Sequence, residues 1–129
     1  TYVTLRICAS MYHRFHAPAD CRVRHVTYVA GDAFNVNPVT VERLPKLFCR
    51  NERAVIHAEL AGGAEELLLV PVAAVLVASI RLHFANVLLH LRYSGATSIP
   101  CQARLARGEE MGWFQHGSTI IVLAPPGFT

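Results

Sequence analysis

The sequence has little charge and almost no lysine. Only 16% of its 129 residues are charged, and Lys46 is the single lysine beside eleven arginines. It contains no basic run and no aromatic platform motif, which argues against a nucleic-acid partner. The longest apolar stretch, residues 67–80, contains Pro71 and is shorter than the roughly 20 residues that a membrane-spanning helix requires. The chain opens on a strand-like pattern, with no visible signal peptide.

Cysteine is scarce and widely spaced. Cys8, Cys21, Cys49 and Cys101 include no Cys-x-x-Cys pair, so zinc-ligand spacing is absent and we expect no metal site. Free buried thiols in a reducing compartment are the expectation.

Apolar side chains, by contrast, are abundant. Hydrophobic residues make up 53% of the chain and its mean hydropathy is +0.33, so we expect one domain with a core and an exposed apolar face. Residues 1–53 hold eight basic and four acidic residues, a balance of +4, whereas the remainder holds four and five, a balance of −1. Arginine suits phosphate because of its planar fork, although a solvated basic surface explains the same excess.

Alternating polar and apolar residues predict a mainly β fold. Residues 21–29 show the period of two that is typical of a half-buried strand. Strands are predicted at residues 1–9, 21–29, 53–60, 67–82 (a strand pair or one long bent strand), 113–115 and 118–123, with loops at 11–20 and 94–100. One short helix is predicted near residues 39–48, where Pro45 limits its length. The pattern favours a single-domain sandwich or barrel-like β fold.

The tripeptide Gly117-Ser118-Thr119 suggests a chain that cuts itself. It lies between two predicted strands. Glycine lets a nucleophile approach its carbonyl closely, and serine supplies that nucleophile if a nearby base takes its proton. The same triplet is also typical of a turn or a strand start.

A second segment, Tyr12-His13-Arg14-Phe15-His16-Ala17-Pro18, offers two histidines three residues apart as sources of a general base. Three further segments follow in order: YVAGDAFNVN at 28–37, LFCRNER at 47–53 and GEEMG at 108–112. With the tripeptide, this ordered set closely resembles the phosphatidylserine decarboxylase family. The resemblance runs from about residue 2 to residue 127, and is to the C-terminal catalytic part of the family.

The resemblance implies that residues 1–129 form a self-processing decarboxylase domain. Ser118 attacks the carbonyl of Gly117 to give an ester, elimination leaves a dehydroalanine, and hydrolysis leaves a pyruvoyl group at the new N-terminus. The pieces, residues 1–117 and 118–129, stay associated. The pyruvoyl group is the cofactor: it condenses with the amine of a serine phospholipid and accepts the electrons released with carbon dioxide.

The resemblance also implies roles for individual side chains. His16 matches the family histidine that is paired with the serine, so we assign it as the base. His13 matches the first histidine, near the substrate carboxylate, and is assigned to substrate positioning or proton donation. Asn51, Glu52 and Arg53 are expected to form a structural hydrogen-bonding cluster.

Membrane association follows from the resemblance alone. Family members act at membranes, so we expect peripheral attachment to the cytoplasmic face of an inner membrane and a serine phospholipid as substrate. A homo-oligomer is left open.

The chain departs from the family pattern at several positions. Relatives complete an Asp-His-Ser triad with an aspartate upstream of the first strand, which has no counterpart here, and Asp20 falls at a turn position. Cys21, Ala73 and Ala78 replace glycines, a costly change if φ were positive or backbones touched. The alternative function is therefore an uncut, inactive β domain that binds anionic lipid or a partner chain. A Ser-His hydrolase is a third interpretation, which is weaker because the sequence around Ser118 lacks the Gly-x-Ser-x-Gly nucleophile elbow.

Overall fold

The computed structural model describes residues 1–8, 10, 12–30, 52–63, 65–73, 79–90, 93–115 and 118–128. Within these residues all regular structure is β, and the strands in chain order are β1 (Tyr2–Ile7), β2 (Arg14–His16), β3 (Cys21–Val29), β4 (Arg53–Leu60), β5 (Glu66–Ala73), β6 (Ser79–Leu82), β7 (Val87–His90), β8 (Ser98–Leu105), β9 (Glu110–Phe114) and β10 (Ser118–Leu123). The mainly β prediction is confirmed. The helix predicted near residues 39–48 lies outside the described residues.

The strands form two antiparallel sheets. Sheet A has six strands in the order β1-β10-β5-β4-β3-β8, and sheet B has four in the order β2-β9-β6-β7. Strand β10 is therefore internal to sheet A, with β1 and β5 as its neighbours. Nothing in the described part of the chain is a helix long and apolar enough to cross a membrane.

Alternating side chains build the core. In β3, Val23, Val26 and Tyr28 are buried, and a bulge between Val23 and His25 shifts the alternation by one residue. In sheet B, Ile80 and Leu89 are fully buried. Each such side chain stabilises the fold by about 1.5–3 kcal/mol relative to full exposure.

The structure decides one open alternative and shortens two predicted loops, since residues 14–16 of the loop predicted at 11–20 form β2. Residues 67–82 are a strand pair rather than one bent strand, because β5 belongs to sheet A and β6 to sheet B. The loop predicted at 94–100 ends at Ser98, where the eight-residue β8 begins. Pro100 lies in β8, and a proline is tolerated there because β8 is an edge strand.

Two of the three predicted glycine replacements, Cys21 and Ala73, are accommodated. Cys21 and Ala73 lie in regular strand ladders and are buried, and the one described non-glycine residue with positive φ is Asn86. No backbone strain therefore arises at either position. Ala78 lies outside the described residues.

Candidate active site

Ser118 lies where the chain passes between the two sheets. It is the first residue of β10 and pairs with Ile7, the last residue of β1, and with Ala73, the last residue of β5. On the sheet B side, the N–H of Phe114, the last residue of β9, donates to the carbonyl of His13 over 2.9 Å. We call these five residues the Ser118 corner. Strands β1, β5 and β9 end at this corner, and β10 begins there.

Ser118 is buried, with 1% of its surface exposed. Its burial follows from the internal position of β10, because neighbouring strands cover it on both sides. Gly117, the other half of the predicted cleavage site, lies outside the described residues.

His13 immediately precedes β2 and is half-buried. Its backbone carbonyl holds Phe114, four residues before Ser118. The Nε2 atom is buried and has no hydrogen-bond partner among the described residues. A buried ring nitrogen of this kind is available to a group that enters the site.

His16 is held in one tautomer by its neighbours. Nδ1 lies 2.8 Å from the carbonyl oxygen of Gly108, so Nδ1 carries the hydrogen and donates it. Nε2 therefore accepts the hydrogen bond from the Tyr12 hydroxyl at 2.9 Å, and the two rings stack with centroids 5.8 Å apart. Nε2 is the basic nitrogen. The Gly108 carbonyl thus fixes the orientation of the ring.

The register separates the two histidines. His16 pairs with Glu110, at the start of β9, whereas His13 bonds to Phe114, at its end. Four residues of strand span about 13 Å. The structure thus brings the backbone of His13 to the Ser118 corner and places that of His16 toward the other end of β9.

Buried polar atoms without partners gather around the Ser118 corner. Among the described residues these side-chain atoms are His13 Nε2, Glu52 Oε2, Ser79 Oγ and Thr119 Oγ1. Thr119 follows Ser118, Ser79 precedes the residue that pairs with Phe114, and the Glu52 carbonyl accepts from Ala73 N–H at 2.9 Å. An unsatisfied buried polar group costs about 1–3 kcal/mol. Four of them around one corner indicate a site that receives polar groups.

Sequence reasoning did not single out Ser79 and Thr119 as members of a site, and it assigned Glu52 a structural role. No spacing in the sequence marks Ser79. Glu52 has a visible signal, because it is a carboxylate one residue before a strand whose buried positions are Ala54, Ile56 and Ala58. Glu52 is an even number of residues from these positions, so its side chain lies on the same inner face of the sheet.

Asp20 has a structural task. Its Oδ1 accepts from the N–H of Arg107 at 2.7 Å, and its carbonyl accepts from Ala61 at 3.0 Å. It therefore fixes the turns beside β3, as its predicted turn position suggests.

A groove of about 700 Å³ opens beside this turn, lined by residues that include Cys21, Leu60, Leu105 and Glu109. It contains none of the predicted site residues. Burial, then the nearby charges of Asp20 and Glu109, raise the pKa of the Cys21 thiol. Cys21 stays protonated at neutral pH and is a poor nucleophile. No cluster of three metal-ligating side chains occurs in the described ranges.

Together, the fold and the site define an antiparallel β-protein with a buried serine where its two sheets meet. The family model described as phosphatidylserine decarboxylase matches residues 1–129, and the chain belongs to that family. Curated relatives named phosphatidylserine decarboxylase proenzyme include those of Haemophilus influenzae (38% identical over 95% of this chain and 43% of the relative) and Variovorax paradoxus (40% over 98% and 45%). The chain spans less than half the length of these relatives.

Proposed function

We propose that this chain is the self-cleaving catalytic part of a phosphatidylserine decarboxylase. It cuts itself between Gly117 and Ser118 and then converts phosphatidylserine to phosphatidylethanolamine. The observation that carries the proposal is the burial of Ser118 at the start of β10, in a corner where four buried polar atoms have no partner among the residues that the structure describes. Family membership and the name proenzyme of the relatives support it.

Self-cleavage needs one nucleophile and one base. The Ser118 hydroxyl adds to the Gly117 carbonyl carbon, the peptide C–N bond breaks, and an ester replaces it. Elimination then frees the carboxylate of residue 117 and leaves dehydroalanine at 118. Water hydrolyses this group to the pyruvoyl group and releases ammonia. Burial of Ser118 keeps bulk water from competing for the ester.

We assign His16 as the base, as the resemblance implies, and His13 to substrate positioning. The tautomer of His16 supports its role, because Nε2 carries no hydrogen and can accept a proton once the Tyr12 hydroxyl moves away from it. A surface hydrogen bond of this type contributes about 1 kcal/mol, so breaking it adds little to the activation free energy of cleavage. Two observations favour His13 instead: its backbone lies at the Ser118 corner whereas that of His16 lies toward the other end of β9, and its Nε2 has no partner among the described residues.

The residues of the corner fit a pyruvoyl group. Its oxygens accept hydrogen bonds, and the hydroxyls of Ser79 and Thr119 are buried donors without described partners. Ser79 and His13 would hold it, whereas the side chain of Thr119 lies on the opposite face of sheet A from residue 118. When present, the group supplies a carbonyl that accepts the electron pair released with carbon dioxide.

Membrane attachment is part of the proposal. The serine phospholipid must be reached at a lipid surface, which we place at the cytoplasmic face of an inner membrane. Exposed apolar side chains on β1 support such contact, since Tyr2 is 74%, Val3 47% and Leu5 50% exposed. Eleven of the twelve basic residues are arginine, whose planar guanidinium suits lipid phosphate.

Intact-mass spectrometry of the purified full-length protein tests the proposal. We expect two polypeptides that separate at Gly117–Ser118, the smaller with a blocked, keto-bearing N-terminus. Ser118→Ala leaves one uncut chain. A wild-type protein that stays uncut, with an ordinary serine at 118, contradicts the proposal. If such a protein still floats with anionic liposomes, the uncut lipid-binding alternative takes its place.

A further inference from the structure

Glu52 is a buried carboxyl group with a single described hydrogen-bond partner. It has 0% exposure and lies one residue before β4. Oε1 accepts a hydrogen bond from the Tyr28 hydroxyl at 2.9 Å, whereas Oε2 is buried and has no partner among the described residues. An ionised carboxylate in this setting is costly, so the neutral acid is the favoured form.

The position of Glu52 relates it directly to Ser118. Its carbonyl accepts from the N–H of Ala73, and Ala73 is the register partner of Ser118. Glu52, Ala73 and Ser118 thus form one row across sheet A. Residues directly opposite in antiparallel strands share a face, so only the methyl group of Ala73 stands between Glu52 and Ser118 in that row. Two strand spacings amount to about 10 Å.

The titratable groups that face Glu52 come from two elements. Tyr28 reaches it from β3, and the Tyr28 hydroxyl also lies 3.2 Å from the carbonyl oxygen of His90 in β7. Tyr93, after β7, packs edge-on against Tyr28. No arginine or lysine in the described part of the chain forms an ion pair with Glu52. Burial raises the pKa of Glu52, while the Tyr28 hydrogen bond and the His90 charge act in the opposite direction.

We propose that Glu52 works as a neutral acid whose Oε2–H donates a hydrogen bond toward the Ser118 site. The inference rests on the proposed self-cleavage, during which negative charge develops on oxygen at residues 117 and 118. A pre-positioned donor in a buried site lowers the free energy of such a transition state. Tyr28 fixes the direction of the carboxyl group by occupying Oε1.

The test is the pH dependence of self-cleavage in the full-length protein. The protein is made by cell-free synthesis, and the fraction cleaved is measured over time after synthesis is stopped. Wild type should lose cleavage as pH rises through the raised pKa of Glu52. Glu52→Gln keeps an acceptor for Tyr28 and places an N–H₂ donor at Oε2, so it should cleave within about tenfold of wild type and lack this alkaline limb. Glu52→Leu, without donor or acceptor, should be slower by about 100-fold at every pH.

Glu59→Gln is the matched control, since Glu59 is a carboxylate of β4 that pairs with Arg24 on the surface. The loss of self-cleavage at high pH should be the same in Glu59→Gln as in wild type. An alkaline limb retained in Glu52→Gln, or a Glu52→Leu protein as fast as Glu59→Gln, overturns the inference while self-cleavage stands. Infrared spectroscopy gives an independent reading: a protonated-carboxyl band at neutral pH should be absent from Glu52→Gln. Failure of wild type to cleave at all overturns both the inference and the proposed function.

Discussion

The two histidines near β2 differ in what their ring nitrogens contact, and this difference separates their expected roles. Both nitrogens of His16 are engaged, whereas Nε2 of His13 has no described partner. We expect His16→Ala to slow self-cleavage by about 100-fold or more, because the serine loses its base. His13→Ala should cleave faster than His16→Ala but lower decarboxylation by the cleaved protein.

Intact mass and ethanolamine-lipid release measure the two steps. His57→Ala is a suitable control, because His57 stacks on His25 in sheet A and forms a hydrogen bond with Glu66. The reverse pattern, with His13→Ala blocking cleavage, would assign the base to His13, as its bond to Phe114 favours.

Glu110 makes a pH-dependent contribution to stability. The hydrogen bond from His83, and next that from Arg14, lower the pKa of its carboxyl group; both contacts measure 2.6 Å. A carboxyl group whose pKa is lowered by folding stabilises the fold at pH values above the ordinary carboxyl pKa. This contribution to stability is lost as pH falls through the pKa of the folded state. Glu110→Gln should therefore be less stable than wild type at neutral pH, with the difference vanishing in acid.

Urea unfolding at a series of pH values measures this difference. Glu65→Gln, at an exposed position before β5, is the control and should track wild type throughout. A Glu110→Gln deficit that is the same in acid as at neutral pH would contradict the linkage.

At the level of single residues, the resemblance named Ser118, His16 and His13, and their roles remain predictions. Glu52 was assigned a structural role, although its parity with the buried residues Ala54, Ile56 and Ala58 was visible in the sequence. Its hydrogen-bond partner could not be predicted, because Tyr28 lies 24 residues earlier in the chain and this contact leaves no local pattern. The sequence motif that contains it, LFCRNER, is mostly outside the described residues.

At the level of elements, Gly112 is required by a close approach of strands. A Cβ atom there would overlap the carbonyl oxygen of Arg81 in β6 and crowd the ring of Phe15 in β2. Gly112→Ala should force β9 away from both neighbours and destabilise the protein by about 3 kcal/mol or more. Urea unfolding checks this, with the exposed β8 substitution Ser98→Ala as a control; equal midpoints for the two variants would refute it.

The strands that alternate cleanly were predictable, and those that do not were less so. Residues 21–29 and 53–60 were recognised because one face of each packs in the core. Strand β8 was missed because Pro100 and the exposed residues around it resemble a loop, and only the pairing with β3 shows otherwise. The sheet to which each strand belongs was also not predictable, since β5 and β6 are nearly continuous in sequence.

At the level of the whole molecule, cleavage should leave the fold intact. Strand β10 pairs over six residues with β1 and over six with β5, and none of these ladders involves Gly117. We expect the two pieces to co-elute in size-exclusion chromatography and to separate only in denaturant, because unpairing an internal strand exposes two ladders at once. Elution of residues 118–129 as a free peptide in native buffer would contradict this.

The proposed break falls at the first residue of an internal strand. A peptide that supplies this strand would therefore also supply the reactive group at its N-terminus. A synthetic peptide of residues 118–129, made with a keto acid in place of serine, would carry both into a large fragment ending at residue 117. Semisynthesis of this kind would replace autocatalysis with strand complementation, and would let isotopes or altered ketones be installed at will.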